Sequence, residues 1–109
     1  MISDDDIEKA LDYMRDSAED CAKWRAEKVY LTELRKVVKA NLMKGSTEPS
    51  AVGREQYAYS HPDYLLHLEA MKHAVYLDEK HQGLVAAAGA KIDAWRTQQS
   101  NQRSMGKLQ

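Results

Sequence analysis

Proline occurs at two positions, Pro49 and Pro62, and both fall within or beside one short segment. That placement does more than any other feature to fix what the chain can fold into. The segment, GSTEPSAVGREQYAYSH over residues 45–61, also holds Gly45 and Gly53. On either side, apolar residues recur at helical spacing, from Ser3 to Lys44 and from Pro62 to Asn101. A helix interior excludes proline, so two long arms with a single break predict an antiparallel helical hairpin. The expectation is an all-α, coiled-coil-like single domain over residues 1–109. Its arms are placed at about 3–44 and 61–102, with a linker at about 45–60.

Local signals agree with this reading. Ser3 is a good helix cap, with Asp6 three residues on in the reciprocal position, and Asp4, Asp5 and Asp6 complement the positive helix end. Ile7, Leu11, Met14, Ala18 and Cys21 follow a 4-3-4-3 spacing, which predicts a coiled-coil seam. Beyond Trp24 the stripe widens through Leu31, Leu34, Val38 and Leu42, and Gly45 is a natural stop. In the second arm Ser60 can cap and Pro62 fits the first turn. Tyr64, Leu68, Met71 and Val75 form one stripe, and Ala70, Ala74, Leu77, His81, Leu84 and Ala88 a neighbouring one. Gly83 and Gly89 stand inside the arm, and among so many alanines they predict close backbone approach or a kink. The tail from Ser100 is polar and expected to fray, and a helical turn is expected around Ala51 to Ala58.

A two-helix hairpin encloses no core, because each helix covers only one side of the other. The wide stripe is therefore expected to be buried by self-association. The predicted interface is Leu31, Leu34, Val38, Leu42, Leu68, Met71 and Val75, in a homodimer that makes a four-helix bundle.

Charge constrains partners. The net charge is −1, which argues against wholesale wrapping of nucleic acid. The distribution is dipolar. Acidic residues crowd Asp4 to Asp20, and the other end carries Lys91, Arg96, Arg103 and Lys107. Pairing of these ends favours the antiparallel arrangement. The single cysteine, Cys21, excludes an internal disulfide and fits a reducing compartment. No stretch approaches the length of a membrane span, and the acidic N-terminus lacks signal-peptide features. A soluble protein of the cytoplasm, with no membrane contact, is expected.

Chemistry-bearing constellations are sparse. The four histidines, His61, His67, His73 and His81, have neither zinc-ligand spacing nor a paired cysteine. Cys21 sits beside Glu19 and Asp20, which disfavour a thiolate. No phosphate loop or catalytic triad appears, so no catalytic residue, metal or cofactor is expected. The strongest recognition candidates are Arg54, Tyr57 and Tyr59 in the linker, with Lys36 and Lys39 on the first arm. Arginine and lysine would hold phosphates or carboxylates, and tyrosine would stack or anchor. The competing reading is that the aromatics seal the hairpin end.

Three segments carry a resemblance: AEKVYLTELRKVVKANLM, REQYAYSHPDYLLHLEAM and KIDAWRTQQSNQR. They resemble a family of small helical proteins of tailed phages and prophages. The shared features are an AE-x-VYL-x-E-x-RK-x-x-KA-x-LM helix, an RE-x-x-A turn and a WR ending followed by Asn and Arg. Here the likeness falls on Ala26, Tyr30, Arg35, Lys36, Lys39, Arg54, Trp95 and Arg96, among others, and Gln102 separates Asn101 from Arg103. The resemblance implies phage origin and association with DNA-metabolism genes, and it supplies no catalytic residue. The expected function is a non-enzymatic accessory protein of DNA recombination or replication. It would bind a phage or host protein, or single-stranded DNA. The alternatives are an inhibitor or regulator of a host enzyme, with Asp4 to Asp20 mimicking nucleic acid, and a virion assembly component.

Overall fold

A computed structural model describes residues 1–108, with side-chain placement through Gly106; the Lys107 side chain lies outside the described residues. The described residues are 91% helical. Helix α1 covers Asp4–Lys44, α2 covers Ala51–Ser60 and α3 covers Pro62–Leu108. The fold is all-α, a long helical hairpin, with no strand among the described residues. The expected linker shrinks to residues 45–50, because residues 51–60 are helical, and α3 continues through the tail expected to fray.

Caps explain the boundaries. The Ser3 amide donates to Asp6 Oδ2 at 3.0 Å, and the Asp6 amide donates to Ser3 Oγ at 3.1 Å, the reciprocal box its spacing predicts. The Ser3 amide and hydroxyl hold the Asp6 carboxyl below its usual range. Its contribution to stability is therefore present above the usual carboxylate pKa and is lost as pH falls through the lowered value. At the other end the Gly45 amide is shared between the carbonyls of Asn41 and Leu42 at 3.2 and 3.1 Å. Among the described residues none has positive φ, so α1 ends without a left-handed cap. Ser50 caps α2 by accepting from the Gly53 amide. A Cβ at Gly53 would stand 3.0 Å from Ser50 Oγ and 3.1 Å from Glu48 Cβ, so any larger residue must push these side chains aside by a few tenths of an ångström. Ser60 does not cap α3. Its hydroxyl donates to the Gln56 carbonyl, and the His61 ring takes over by accepting from the Asp63 amide at 3.0 Å.

Two compact units divide the chain: residues 1–21 with 79–109, and residues 22–78. In the first unit Ile7, Ala10 and Ile92 form the core, with Ile2, Met14, Ala88 and Trp95 packed against them. The α1 residues that face inward are Ile7, Ala10, Met14, Ser17 and Cys21, a 3-4-3-4 spacing. This corrects the expected seam at two positions, since Leu11 and Ala18 point outward. The small Ala10 and Ser17 permit close helix approach, and the Ser17 hydroxyl is satisfied by the Tyr13 carbonyl at 2.6 Å. In the second unit the inward positions of α3 are Tyr64, His67, Met71, Ala74 and Asp78, again alternating 3 and 4. Tyr64, Met71 and Ala74 were expected on inward stripes, whereas Leu68 and Val75 are exposed. Apolarity alone misplaced the stripe, because His67 and Asp78 occupy it as satisfied polar groups. Ala58, fully buried, anchors α2 in this unit.

Gly83 and Gly89 do not mark a close approach. A Cβ at either position would meet nothing within 4 Å. Each Gly→Ala change is therefore expected to stabilise α3 by up to about 1 kcal/mol through helix propensity. Thermal melts of the two single variants check this, and a fall in Tm would show that the space is used.

Candidate interaction surfaces

The linker end of the second unit is stapled from within. Arg54 Nη1 donates to the carbonyls of Glu48 at 3.2 Å and Pro49 at 3.1 Å. It thereby closes the turn that leads into α2, which accounts for its half-buried position. Lys39 Nζ donates to Glu55 Oε1 at 2.8 Å and lies 4.8 Å over the Tyr59 ring. The Glu55 carboxylate, and after it the Tyr59 hydroxyl, raise the Lys39 pKa well above the usual lysine range. Its stabilising contribution is therefore intact below the ordinary lysine pKa and is lost only as pH rises through the raised value.

Tyr59 packs edge-on against the buried Tyr64, with centroids 5.3 Å apart, and Tyr57 against His61 at 5.5 Å. Lys36 remains on the surface and pairs with Glu33 at 3.2 Å. Of the five residues singled out for recognition, four thus converge on the linker end, and Arg54, Lys39 and Tyr59 are engaged in holding it. Tyr59→Ala is expected to cost about 1 kcal/mol in urea unfolding, from the lost aromatic pair and cation contact. An unchanged midpoint would return Tyr59 to the set of free anchors.

The inward side of the second unit is polar at its centre. Lys28 Nζ and Asp78 Oδ2 pair at 2.5 Å, and the Asp78 side chain is only 1% exposed. His67 Nε2 lies 2.6 Å from the Leu31 carbonyl, so the ring donates there from that nitrogen. Trp24 meets His73 edge-on at 5.7 Å.

In the first unit Trp95 Nε1 donates to Asp4 Oδ1 at 3.2 Å, one link between the acidic and basic ends. A shallow open groove there is floored by Ala10, Ala87 and Ala88 and edged by Asp6, Lys9 and Lys91. Nothing in it pairs a nucleophile with a base. Among the described residues no group of three or more His, Cys, Asp or Glu could hold a metal ion. No helix among them is long and apolar enough to cross a membrane.

With polar groups inward, large apolar side chains are left outside. On α3 of the second unit Leu65 is 52% exposed, Leu66 68% and Tyr76 62%. Val29, Tyr30 and Val37 on α1 are likewise exposed. The expected interface set divides. Leu31, Leu34, Val38, Leu42 and Met71 are half-buried within the hairpin, and only Leu68 and Val75 stand exposed. Sequence reasoning missed Leu65, Leu66 and Tyr76. The signal that could have found them was the strict 3-4 spacing of Tyr64, His67, Met71, Ala74 and Asp78, which puts Leu65 and Tyr76 on the opposite side of α3.

No family model, curated protein or solved structure matches this chain.

Proposed function

We propose that this protein is a non-enzymatic interaction module whose outward helix surface, rather than its linker, holds a protein partner. The observation that carries this reading is the inversion of polarity in the second unit: a buried Lys28–Asp78 pair inside, and Leu65, Leu66 and Tyr76 outside. Exposed apolar groups clustered on one helix are the mark of a binding face. The phage resemblance sets the context as DNA recombination or replication.

Protein is favoured over single-stranded DNA because the three cations singled out for recognition, Arg54, Lys39 and Lys36, are engaged. Arg54 holds carbonyls, and Lys39 and Lys36 hold carboxylates. A backbone-tracking groove needs such groups free.

Two measurements test the reading. Binding of a labelled oligonucleotide is compared at about 50 and 200 mM salt, where contacts to phosphate lose affinity steeply. No such binding is expected. The protein is also used as bait in infected-cell lysate beside a Leu65→Glu/Tyr76→Glu variant of equal helix content. A specific partner recovered by the natural sequence and lost by the variant upholds the proposal. Salt-sensitive DNA binding, or the same partner recovered by both baits, overturns it.

A further inference from the structure

We propose that the outward side of α3 over residues 65–76 is a two-fold contact surface for a second copy of this chain, paired antiparallel. The inference deepens the reading above, since it names the partner that the outward surface takes.

The face is defined by helix geometry. At about 100° per residue, Leu65, Glu69, Lys72 and Tyr76 form one line in 4-3-4 spacing, on the side of α3 away from His67, Met71, Ala74 and Asp78. All four line residues are exposed. Leu66 and His73 flank the line on one edge, and Leu68 and Val75 on the other.

The order of side chains along this line is self-complementary. Two copies of α3 crossing antiparallel about the midpoint between Ala70 and Met71 set residue i against residue 141 − i. Glu69 then faces Lys72 of the second copy and Lys72 faces its Glu69, so two opposite-charge contacts form around the two-fold axis. Leu65 meets Tyr76 of the second copy at each end, and because a two-fold antiparallel pair brings like edges together, Leu68 comes beside Val75 of the second copy on one edge and Leu66 beside its His73 on the other. A parallel pairing would set Glu69 on Glu69 and Lys72 on Lys72, so the charges select the antiparallel arrangement. A two-fold contact requires that the same patch satisfy itself, and this patch does so with both its charges and its apolar ends.

Neither charge is spent within the chain. Glu69 and Lys72 form no ion pair among the described residues, although i,i+3 spacing would allow one. Together with His73 and Tyr76 they border a shallow open depression on this face. A contact of three helical turns is shorter than the roughly 800 Å² per partner of a standard interface. The association is therefore weak and reversible, in the micromolar range, rather than the obligate four-helix bundle expected from the sequence.

Charge reversal tests the pairing. Sedimentation equilibrium is run from about 1 to about 500 µM, spanning weak affinities, on the natural sequence, Glu69→Lys, Lys72→Glu and the double swap, with circular dichroism confirming equal helix content. The natural chain is expected to dimerise, each single reversal to weaken dimerisation about tenfold or more, and the double swap to restore it, because like charges meet in the singles and opposite charges meet again in the double. A chain that stays monomeric throughout overturns the proposal. So does association indifferent to the single reversals, or a double swap no tighter than the singles. The bait comparison separates the two failures. A monomer that still recovers another protein through Leu65 and Tyr76 removes only the second copy as partner, whereas loss of that recovery as well removes the outward surface altogether.

Discussion

Lys28→Met is expected to destabilise the hairpin by about 3–5 kcal/mol, the cost of breaking a buried ion pair from one side. The carboxylate of Asp78 is 1% exposed, and Lys28 supplies its ammonium contact at 2.5 Å. Remove the ammonium and the carboxylate keeps its burial and loses that compensation. The reverse change is milder. The Lys28 side chain is 30% exposed, so in Asp78→Ala its flexible stem can carry the ammonium to water. A loss of about 1–2 kcal/mol is expected there, near the cost of one charged hydrogen bond. The pair Lys28→Met/Asp78→Leu is expected to recover most of the stability, because an apolar replacement removes both desolvation costs. Urea unfolding followed at 222 nm gives all three values. Equal losses in the two single variants would show that the burial of Asp78 has no energetic consequence.

Ile92→Ala is the second large effect, at about 2–4 kcal/mol. Ile92 is 9% exposed and completes a core of only three buried side chains with Ile7 and Ala10. Deleting its branched carbons leaves a cavity that the small Ala10 cannot fill. The value should fall toward the lower end of the large-to-small range, since a two-helix core is open to relaxation on its flanks. Against a typical total stability of about 5–15 kcal/mol, even that lower end is a substantial fraction. A change under about 0.5 kcal/mol, the scale of surface substitutions, would mean that Ile92 is not core.

The arms, their caps and their antiparallel pairing were legible in the sequence, because they depend on local rules. Pro49, Pro62, Gly45 and the Ser3–Asp6 box act through backbone geometry that any context preserves. The register of the inward stripe was not legible from apolarity. Leu68 and Val75 read as seam residues, yet they stand outside, while Ser17, His67 and Asp78, which belong to none of the expected stripes, face inward. Each of these polar residues meets a specific polar group: the Tyr13 carbonyl for Ser17, the Leu31 carbonyl for His67 and the Lys28 ammonium for Asp78. Such pairings join residues as many as 50 positions apart and leave no trace in a periodicity of hydrophobic residues. The linker shows the same limitation. Arg54 and Lys39 looked like free cations until the fold brought the carbonyls of Glu48 and Pro49, and the carboxylate of Glu55, beside them.

The most direct test of the central claim, that the outward side of α3 is the face by which this molecule meets its partner, is an isotope-filtered NOE experiment. A mixture of labelled and unlabelled chains is held at a concentration where dimers are populated. Intermolecular contacts are predicted between the Leu65 methyls and the Tyr76 ring, and between the methyls of Leu68 and Val75. Intermolecular contacts confined to Leu31, Leu34, Val38 or Leu42, with none at Leu65 or Tyr76, would contradict it.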